Sequence, residues 1–390
     1  MKNKITYLVF LLWGMLCACT DSSFIKQGNV LNLEMAMHTE KQIVLSDLCD
    51  SLECIPLETN DSSLLGNRAY LSYADEQNLF IMSNNVLYRF SSNGDFLNKI
   101  GRRGNAPGEY NRAYSISADK ERKCFLYYIG QNKIQFWGYD GEFMKEIKLQ
   151  DDGELTAVNI LGQDQIIAES RTYSDNGLKI DIDIFNQEGE LLKKIPICED
   201  EQTVSRSMHT VPILYHARDT IKYKDINGDI LYSFSKNSYD REWVLNLGGY
   251  APSREVLENV AQKEALMRDF AQLVDIKETK KQFYFLIVHD NTLRGIIANK
   301  ETGHLEYNQV INIPQMGGGL KNDYIDKSCF WPSFVSDSDE MYCLLPVEKM
   351  TTKGKQDVER HTSSTVNLLE ESNPIVLKVY TSPIRSASEL

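Results

Sequence analysis

Short segments in which apolar and polar residues alternate follow one another along most of the chain. In three places an alternating segment, an Asn/Asp/Glu-Gly turn and a second segment ending in Ile occur in the same order, at 86–100, 133–147 and 180–195. Period-two alternation predicts β-strands, and the turn glycines permit the positive φ of a tight hairpin. These glycines, Gly94, Gly141 and Gly189, are 47 and 48 residues apart, which predicts a structural repeat.

Two more divergent hairpins follow at 231–247 and 294–311. Six further apolar strands precede the hairpin positions or lie near the C-terminus, beginning at Leu79, Cys124, Gln165, Thr220, Phe283 and Met341. About four strands per 40 to 50 residues is typical of propeller blades, which leave few strand edges exposed. The pattern therefore predicts an all-β fold, a six-bladed β-propeller, with seven blades as the alternative and a sandwich or solenoid as less favoured architectures.

The two ends of the chain and one internal segment complete this prediction. The last strand, 374–380, needs a partner from the N-terminal part to close the ring, and 42–45 or 52–58 is a suitable segment. At 253–276 the apolar residues recur every three or four positions after Ser253, which is a suitable N-cap. We expect one inserted amphipathic helix there that packs on the propeller, with partner binding as the alternative.

The N-terminus has the features of an export signal. Lys2 and Lys4 precede an apolar run at 5–16 that is too short to span a bilayer, and Leu16-Cys17-Ala18-Cys19 resembles a bacterial lipobox. We therefore predict a signal peptide at 1–18, lipidation at Cys19, a lipidated tether at 19–40 and the propeller at 41–390. A plain signal peptide cut elsewhere, or a buried N-terminal helix, is the alternative.

Composition narrows the class of partner. The chain of 390 residues has 42 basic and 55 acidic side chains, a net charge of −13, without long Lys/Arg runs. Such a chain lacks the basic surface that nucleic-acid binding needs. The later cysteines show no CxxC spacing, which favours buried thiols, with Cys329 and Cys343 as the first disulfide pair to test.

One loop carries a resemblance to known proteins. Ile100-Gly-Arg-Arg-Gly-Asn-Ala-Pro-Gly-Glu-Tyr110, with 132–136 and 139–143, resembles the NHL-repeat pattern. More narrowly, the chain resembles the six-bladed β-propeller lipoproteins of unknown function from gut-type Gram-negative bacteria. The resemblance implies the fold and an outer-membrane lipoprotein of the cell envelope, either periplasmic or surface-exposed; it implies no established activity.

Loops of this type join one blade to the next and line the face where propellers usually bind ligands, an argument by analogy. Arg102 and Arg103 are suited to a carboxylate or phosphate, although bonding to loop carbonyls and Glu109 is the favoured alternative. The candidate binding residues in such loops or in inner strands are Arg68, Arg102, Arg103, Arg112, His216, Arg218, Asp323, Asp326 and Trp331.

No motif for a catalytic nucleophile, metal or cofactor is found, so the sequence gives no catalytic or metal-binding residue and no cofactor. We expect a non-enzymatic binding or scaffold lipoprotein that is held to the membrane by its lipid. The partner is a glycan, a peptide or an outer-membrane protein. The alternative is a metal-dependent lyase or hydrolase of the NHL-like or lactonase-like type, for which His209, His216 and His289 would converge at the axis.

Overall fold

The computed structural model describes residues 29–66, 68–174, 177–197, 212–225, 228–253, 256, 267–312, 318–363 and 368–381. These residues form six sheets arranged as blades around one central channel, and one separate two-stranded sheet, so the predicted six-bladed β-propeller is confirmed. The first strand of each blade lies at the channel and the fourth at the rim. The described part contains no helix long and apolar enough to cross a membrane.

The strands follow the chain from blade to blade. Two N-terminal strands, β1 (Asn29–Asn32) and β2 (Cys49–Pro56), come before the first complete blade. Blade one comprises β3 (Tyr70–Ala74), β4 (Asn78–Ser83), β5 (Val86–Ser91) and β6 (Phe96–Ile100). Blade two comprises β7 (Ser115–Asp119), β8 (Cys124–Gly130), β9 (Lys133–Gly138) and β10 (Phe143–Lys148). Blade three comprises β11 (Glu154–Leu161), β12 (Gln165–Ser174), β13 (Gly177–Asn186) and β14 (Leu191–Pro196).

The second half of the ring repeats this order with more variation. Blade four comprises β15 (Ile213–Ala217), β16 (Thr220–Lys224), β17 (Ile230–Phe234) and β18 (Tyr239–Asn246). Blade five comprises β19 (Gln272–Glu278), β20 (Gln282–His289), β21 (Thr292–Asn299) and β22 (Leu305–Val310). A small hairpin, β23 (Leu320–Asn322) and β24 (Ser328–Phe330), precedes blade six, which comprises β25 (Phe334–Val335), β26 (Glu340–Leu345), β27 (Ile375–Thr381) and β2.

The six apolar strands predicted from the sequence are the second strands of the six blades. A second strand is covered by the neighbouring blades on both faces, which is why all six residues of β4 are buried. The cores lie between blades: one cluster joins Phe80 and Met82 of blade one to Phe125 and Trp137 of blade two. Branched and aromatic residues fill such interfaces at every blade junction.

The two ends of the chain close the ring in blade six. Strand β2 pairs antiparallel with β27, from Cys49 opposite Thr381 to Pro56 opposite Ile375. The prediction that 52–58 supplies the closing strand is therefore confirmed. The other candidate, 42–45, makes a single bridge from Val44 to Lys321 and enters a 3-10 turn at Leu45.

The N-terminal segment corrects the predicted boundary of the propeller. Strand β1 adds a fifth strand to blade four by pairing parallel with β18. Leu31, Leu33 and Ala36 are completely buried in the core between blades four and five. The prediction that residues up to 40 form a tether is thus wrong for 29–40, because three apolar residues among polar ones are enough to bind this segment to the rim.

The predicted helix at 253–276 needs a correction at its C-terminal end. Residues 254–255 and 257–266 lie outside the described part. Met267–Asp269 forms a 3-10 turn, and β19 begins at Gln272 as the inner strand of blade five. Leu273 and Ile276 have the three-residue spacing of a helix but lie in a strand. This is possible because a bulge between Leu273 and Asp275 interrupts the two-residue alternation of the strand.

A helix appears at a position where the sequence pattern predicts none. Helix α1 (Thr352–Arg360) lies in the connection between β26 and β27, and the Thr351 hydroxyl accepts from Gly354 N at its N-terminus (3.0 Å). Its residues are mostly polar, so it has no apolar stripe to detect. Cys329 and Cys343 are free thiols, as are the other described cysteines, so the disulfide considered for this pair is not formed.

Candidate functional site: the central channel

A cavity of about 1220 Å³ runs along the axis of the ring. The inner strands of the blades supply its walls, because the first strand of every blade lies against the axis. The topology of the blades gives the two ends of the channel different linings. One end is lined by the loops that enter the inner strands; the other is lined by the turns between first and second strands, such as those at Lys120 and Arg218.

We call the first end the arginine mouth and define it by eight lining residues: Arg68, Tyr70, Asn84, Asn85, Arg103, Asn111, Arg112 and Tyr114. Its centre is the turn between β4 and β5, where Asn84 and Asn85 both have positive φ, 50° and 63°. Asparagine tolerates this left-handed conformation better than most residues. The turn therefore projects a polar edge into the end of the channel.

Hydrogen bonds tie the loop at 101–114 to this turn. Arg103 Nη1 donates to the carbonyl of Asn84 (3.2 Å), and Asn85 Nδ2 donates to the carbonyl of Asn111 (3.3 Å). The amide of Ala113 donates to Asn85 Oδ1 (3.2 Å). The loop is thereby held so that Arg103 and Arg112 both face the end of the channel.

The arginines of the mouth have no acidic partners among the residues that the structure describes. Arg68, Arg103 and Arg112 are exposed, and none forms an ion pair within the described part of the chain. The Arg112 guanidinium lies 5.1 Å from the centre of the Tyr114 ring, a cation–π contact. The mouth thus concentrates uncompensated positive charge in a protein with a net charge of −13.

The opposite end of the channel carries charges of both signs. Lys120 Nζ lies 2.5 Å from Asp337, Arg122 Nε lies 2.5 Å from Asp119, and Arg218 Nη2 lies 2.6 Å from Asp339. Glu121 and Asp219 line the same end and form no ion pair among the described residues, so carboxylates outnumber cations there. The electrostatic potential of the channel is therefore more positive at the mouth than at the opposite end.

A hydrogen-bonded group from three blades lies in the wall between the ends. The buried Ser117 hydroxyl donates to Asn159 Oδ1 and lies 3.2 Å from His216 Nε2. His216 is exposed and lines the channel. Desolvation by the wall nevertheless lowers its pKa below the ordinary value, with Asp337 opposing and Lys120 adding to the effect. The imidazole is therefore neutral at pH 7.

Six of the predicted binding residues line the channel: Arg68, Arg103, Arg112, His216, Arg218 and Trp331. The three arginines at positions 68, 103 and 112 share the mouth. Arg218 lies at the other end beside Asp339, and Trp331 is a buried part of the wall that packs on Tyr284 and Tyr307. Arg102 is exposed but does not line the channel.

Asp323 and Asp326 lie outside the channel, where they serve structure. Asp323 accepts from the amide (3.0 Å) and hydroxyl (2.5 Å) of Ser46, and Asp326 accepts from the Thr351 hydroxyl (2.7 Å). Their connection between blades five and six folds against the N-terminal segment and α1 and away from the axis. Neither side chain lines the channel, and their place in a binding face stays a prediction.

Sequence reasoning missed several residues of the mouth. Tyr70 and Tyr114 are among its exposed side chains, and the Asn84-Asn85 turn is its centre. The Asn-Asn pair between two alternating strands was a detectable signal of a left-handed turn. No comparable signal marks the tyrosines, because exposed and buried aromatic residues look alike in a strand-rich sequence.

The histidine convergence expected for a metal enzyme does not form between the two described histidines. His216 faces the channel, whereas His289 packs edge-on against Tyr250, with ring centres 5.2 Å apart, and does not line the cavity. His209 lies outside the described residues. In the described ranges no group of three His, Cys, Asp or Glu side chains is arranged to hold a metal ion.

Comparisons with known proteins give a family but no activity. The family described as Domain of unknown function (DUF4934) matches residues 28–380. A crystal structure of a candidate exported protein from Bacteroides fragilis NCTC 9343 aligns with a TM-score of 0.65 at 16% identity, covering 91% of this chain and 99% of that one. This similarity supports the propeller fold.

A second solved structure, a protein of unknown function from Bacteroides caccae, aligns less well, with a TM-score of 0.36 and 10% identity over 70% of this chain and 81% of that one. No curated protein matches the sequence.

Proposed function

We propose that this protein, which belongs to the DUF4934 family, is an exported, lipid-anchored binding module that takes its ligand at the arginine mouth of the propeller channel. One observation carries the proposal: three arginines that form no ion pair among the described residues line one side of one end of a cavity of about 1220 Å³. Clefts of this kind, with a few convergent polar groups, are the usual form of ligand sites. The partner is a glycan, a peptide or a segment of another envelope protein.

The environment of Ser117 in the channel wall supports binding without catalysis. Ser117 lies beside His216, as a hydrolytic serine would, but only 3% of its surface is exposed. Its hydroxyl proton is directed to Asn159, and its oxygen accepts from the amide of Ile160 (3.1 Å). A nucleophile needs a base to accept its proton and a path to the substrate. Ser117 therefore supports the wall.

The anchor belongs to the same proposal. Cys19 precedes Asn29, the start of β1, by ten positions, a span that cannot exceed about 36 Å when fully extended. A lipid on Cys19 would hold the rim of blade four close to a membrane. Mass spectrometry of the N-terminal peptide from membrane fractions tests this: we expect an acylated Cys19, and a Cys19→Ala variant that leaves the membrane fraction. An unmodified N-terminus cut elsewhere would refute the anchor.

The binding site is tested by blocking the channel. Ser72 is a half-buried lining residue of β3, so Ser72→Trp adds a bulky side chain to the channel. Leu97→Trp, on the exposed face of β6, is the matched control. Both variants and the unaltered chain from residue 20 are screened on arrays of glycans and peptides. We expect ligands that Ser72→Trp loses and Leu97→Trp keeps; equal binding by both variants would show that the channel is not the site.

A further inference from the structure

We infer that the arginine mouth recognises an acidic saccharide, in which a carboxylate is carried on a hydroxylated ring. This inference rests on the proposed function, because it names the ligand class of the same site. Three features of the mouth each select one part of such a ligand: its charge, its exposed aromatic faces and its free amide.

The charge selects an anion. The described residues that line the mouth include three arginines and no carboxylate, whereas the carboxylates of the channel lie deeper or at its other end. A planar guanidinium binds a carboxylate through two parallel hydrogen bonds. An anion would also relieve the repulsion among Arg68, Arg103 and Arg112. The protein as a whole is negatively charged, so the mouth is a local excess of positive charge. An uncharged ligand would leave this positive charge without a partner.

The tyrosines select a ring. Tyr114 is 58% exposed and Tyr70 is 43% exposed, and both line the mouth. Each side chain combines an apolar ring with a hydroxyl able to hydrogen-bond, a combination suited to ligands that are apolar on one side and polar on the other. The C–H face of a sugar ring has that character. Inorganic sulfate or phosphate has no such face and would leave both tyrosines without a role.

The amide of Asn84 selects hydroxyl groups. Asn85 and Asn111 use their side chains within the loop, since Asn85 bonds both Asn111 and Ala113, and Asn111 Nδ2 donates to Asn105 Oδ1 (2.9 Å). Asn84 is exposed at the tip of the turn, and its backbone carbonyl already holds Arg103. Its amide has both a donor and an acceptor for sugar hydroxyls. The three arginines, the two tyrosines and Asn84 therefore lie at the same edge of the channel, where one ligand can contact all three residue types.

The size of the channel sets the length of that ligand. A volume of about 1220 Å³ exceeds the range of about 300 to 1,000 Å³ for drug-sized ligands. It accepts a short oligosaccharide that places one charged unit at the mouth while its other units extend inward past Ser72 and His216.

Calorimetry with defined saccharides tests the inference. The probes are trigalacturonate and a hyaluronan tetrasaccharide, each beside its carboxyl methyl ester, with triglutamate as an acidic peptide and sodium sulfate as a free anion. The proteins are the unaltered chain from residue 20, Arg68→Gln, Arg112→Gln and Tyr114→Ser, with Arg102→Gln as the matched control because Arg102 is exposed but outside the channel. Thermal melting verifies that each variant is folded.

We expect at least one acidic saccharide to bind at least tenfold more tightly than its methyl ester, and more weakly as salt is raised from 25 to 300 mM. Arg68→Gln, Arg112→Gln and Tyr114→Ser each lower the affinity at least tenfold, and Arg102→Gln leaves it within twofold. Equal affinity for the methyl ester, equal or tighter binding of triglutamate or sulfate, or no effect of the mouth variants would overturn the inference.

Failure of the inference is separable from failure of the proposed function. If no acidic saccharide binds but another ligand does, and Ser72→Trp abolishes that binding, the channel is the site and the ligand class is wrong. If ligands bind and neither Ser72→Trp nor any mouth variant affects them, both statements are wrong.

Discussion

Lys194 is a half-buried cation between two carboxylates whose pKa values shift in opposite directions. Its Nζ lies 3.1 Å from Asp151 and 3.1 Å from Asp183, and both carboxylates are almost completely buried. Burial opposes the ionisation of Asp151, but the Ser170 hydroxyl and Lys194 outweigh it and lower its pKa. At Asp183 burial dominates over Lys194 and raises the pKa to about 6.

The two aspartates should therefore respond in opposite ways to replacement by asparagine. Asp151→Asn removes a carboxylate that the fold stabilises, and we expect a loss of roughly 1 to 3 kcal/mol in the free energy of unfolding at pH 7.5. Asp183→Asn removes a charge that the fold disfavours, and Lys194 keeps Asp151, so we expect no loss or a small gain. Urea unfolding of both variants measures this difference.

The pH dependence has a definite sign. A carboxyl whose pKa is about 6 in the folded protein and about 4 when unfolded stabilises the fold below pH 4 and loses that contribution as the pH rises through 6. Asp183→Asn should abolish this loss, so its advantage over the unaltered chain grows from pH 4 to pH 7. An advantage that is constant across this range would show that Asp183 ionises normally.

At the scale of elements, the loop at 101–110 depends on one glycine for its shape. Gly101 has φ of +87°, and a Cβ there would lie 2.8 Å from the ring and hydroxyl of Tyr110. The Tyr110 hydroxyl in turn donates to the carbonyl of Asn85 (3.2 Å), at the centre of the mouth. A change at Gly101 therefore displaces the support of Arg103.

Gly101→Ala should cost more than a positive φ alone explains. Gly162 is the matched control, since its φ is +64° but a Cβ there would meet nothing within 4 Å. We expect Gly162→Ala to cost about 1 to 2 kcal/mol of unfolding free energy, the penalty of the left-handed conformation. Gly101→Ala should cost clearly more, because the clash adds to it. Equal costs in chemical denaturation would contradict the packing of Tyr110 on Gly101.

The elements also show what the sequence was able to predict. The three regular hairpins and the six second strands were detectable because turn glycines and apolar runs repeat at nearly constant intervals. The end of the inserted helix was not, because Leu273 and Ile276 fit both a helix and a bulged strand. Helix α1 escaped detection since it buries Val358 among polar neighbours and its stability depends on the surfaces it packs against.

At the scale of the whole molecule, the N-terminal segment joins three blades. It extends blade four through β1, bonds blade five through Lys41 and Asn308, and closes blade six through β2. Asn308 Nδ2 also donates to the carbonyls of Ala36 and Thr39. The ring is thus held by residues 29–56 where its two ends meet.

Truncated chains test whether residues 29–40 belong to the folded ring or form the tether that the sequence predicts. A chain beginning at residue 29 should melt like the chain beginning at residue 20. A chain beginning at residue 41, the predicted boundary, loses the buried Leu31 and Leu33 and exposes Trp243 and Leu245. We expect it to lose about 3 to 6 kcal/mol, at 1.5 to 3 kcal/mol per buried leucine. Equal stability of the two truncated chains would show that β1 contributes nothing.

The candidate site was predictable only where it follows the repeat. Arg68, Arg103 and Arg112 lie in loops that enter inner strands at regular blades, so the propeller pattern located them correctly near the axis. Asp323 and Asp326 occupy an irregular insertion, where contacts with Ser46 and Thr351, distant in sequence, decide the direction of the chain. Such contacts leave no local pattern.

The most direct measurement is a crystal structure of the chain from residue 20 grown with the acidic saccharide that binds most tightly. We predict that a carboxylate of the ligand lies within hydrogen-bonding distance of the Arg68 and Arg112 guanidinium groups, with a sugar ring against Tyr114 or Tyr70. A saccharide on the outer rim of the blades, or one bound at the far end of the channel beside Lys120 and Arg218, would contradict the assignment of the mouth.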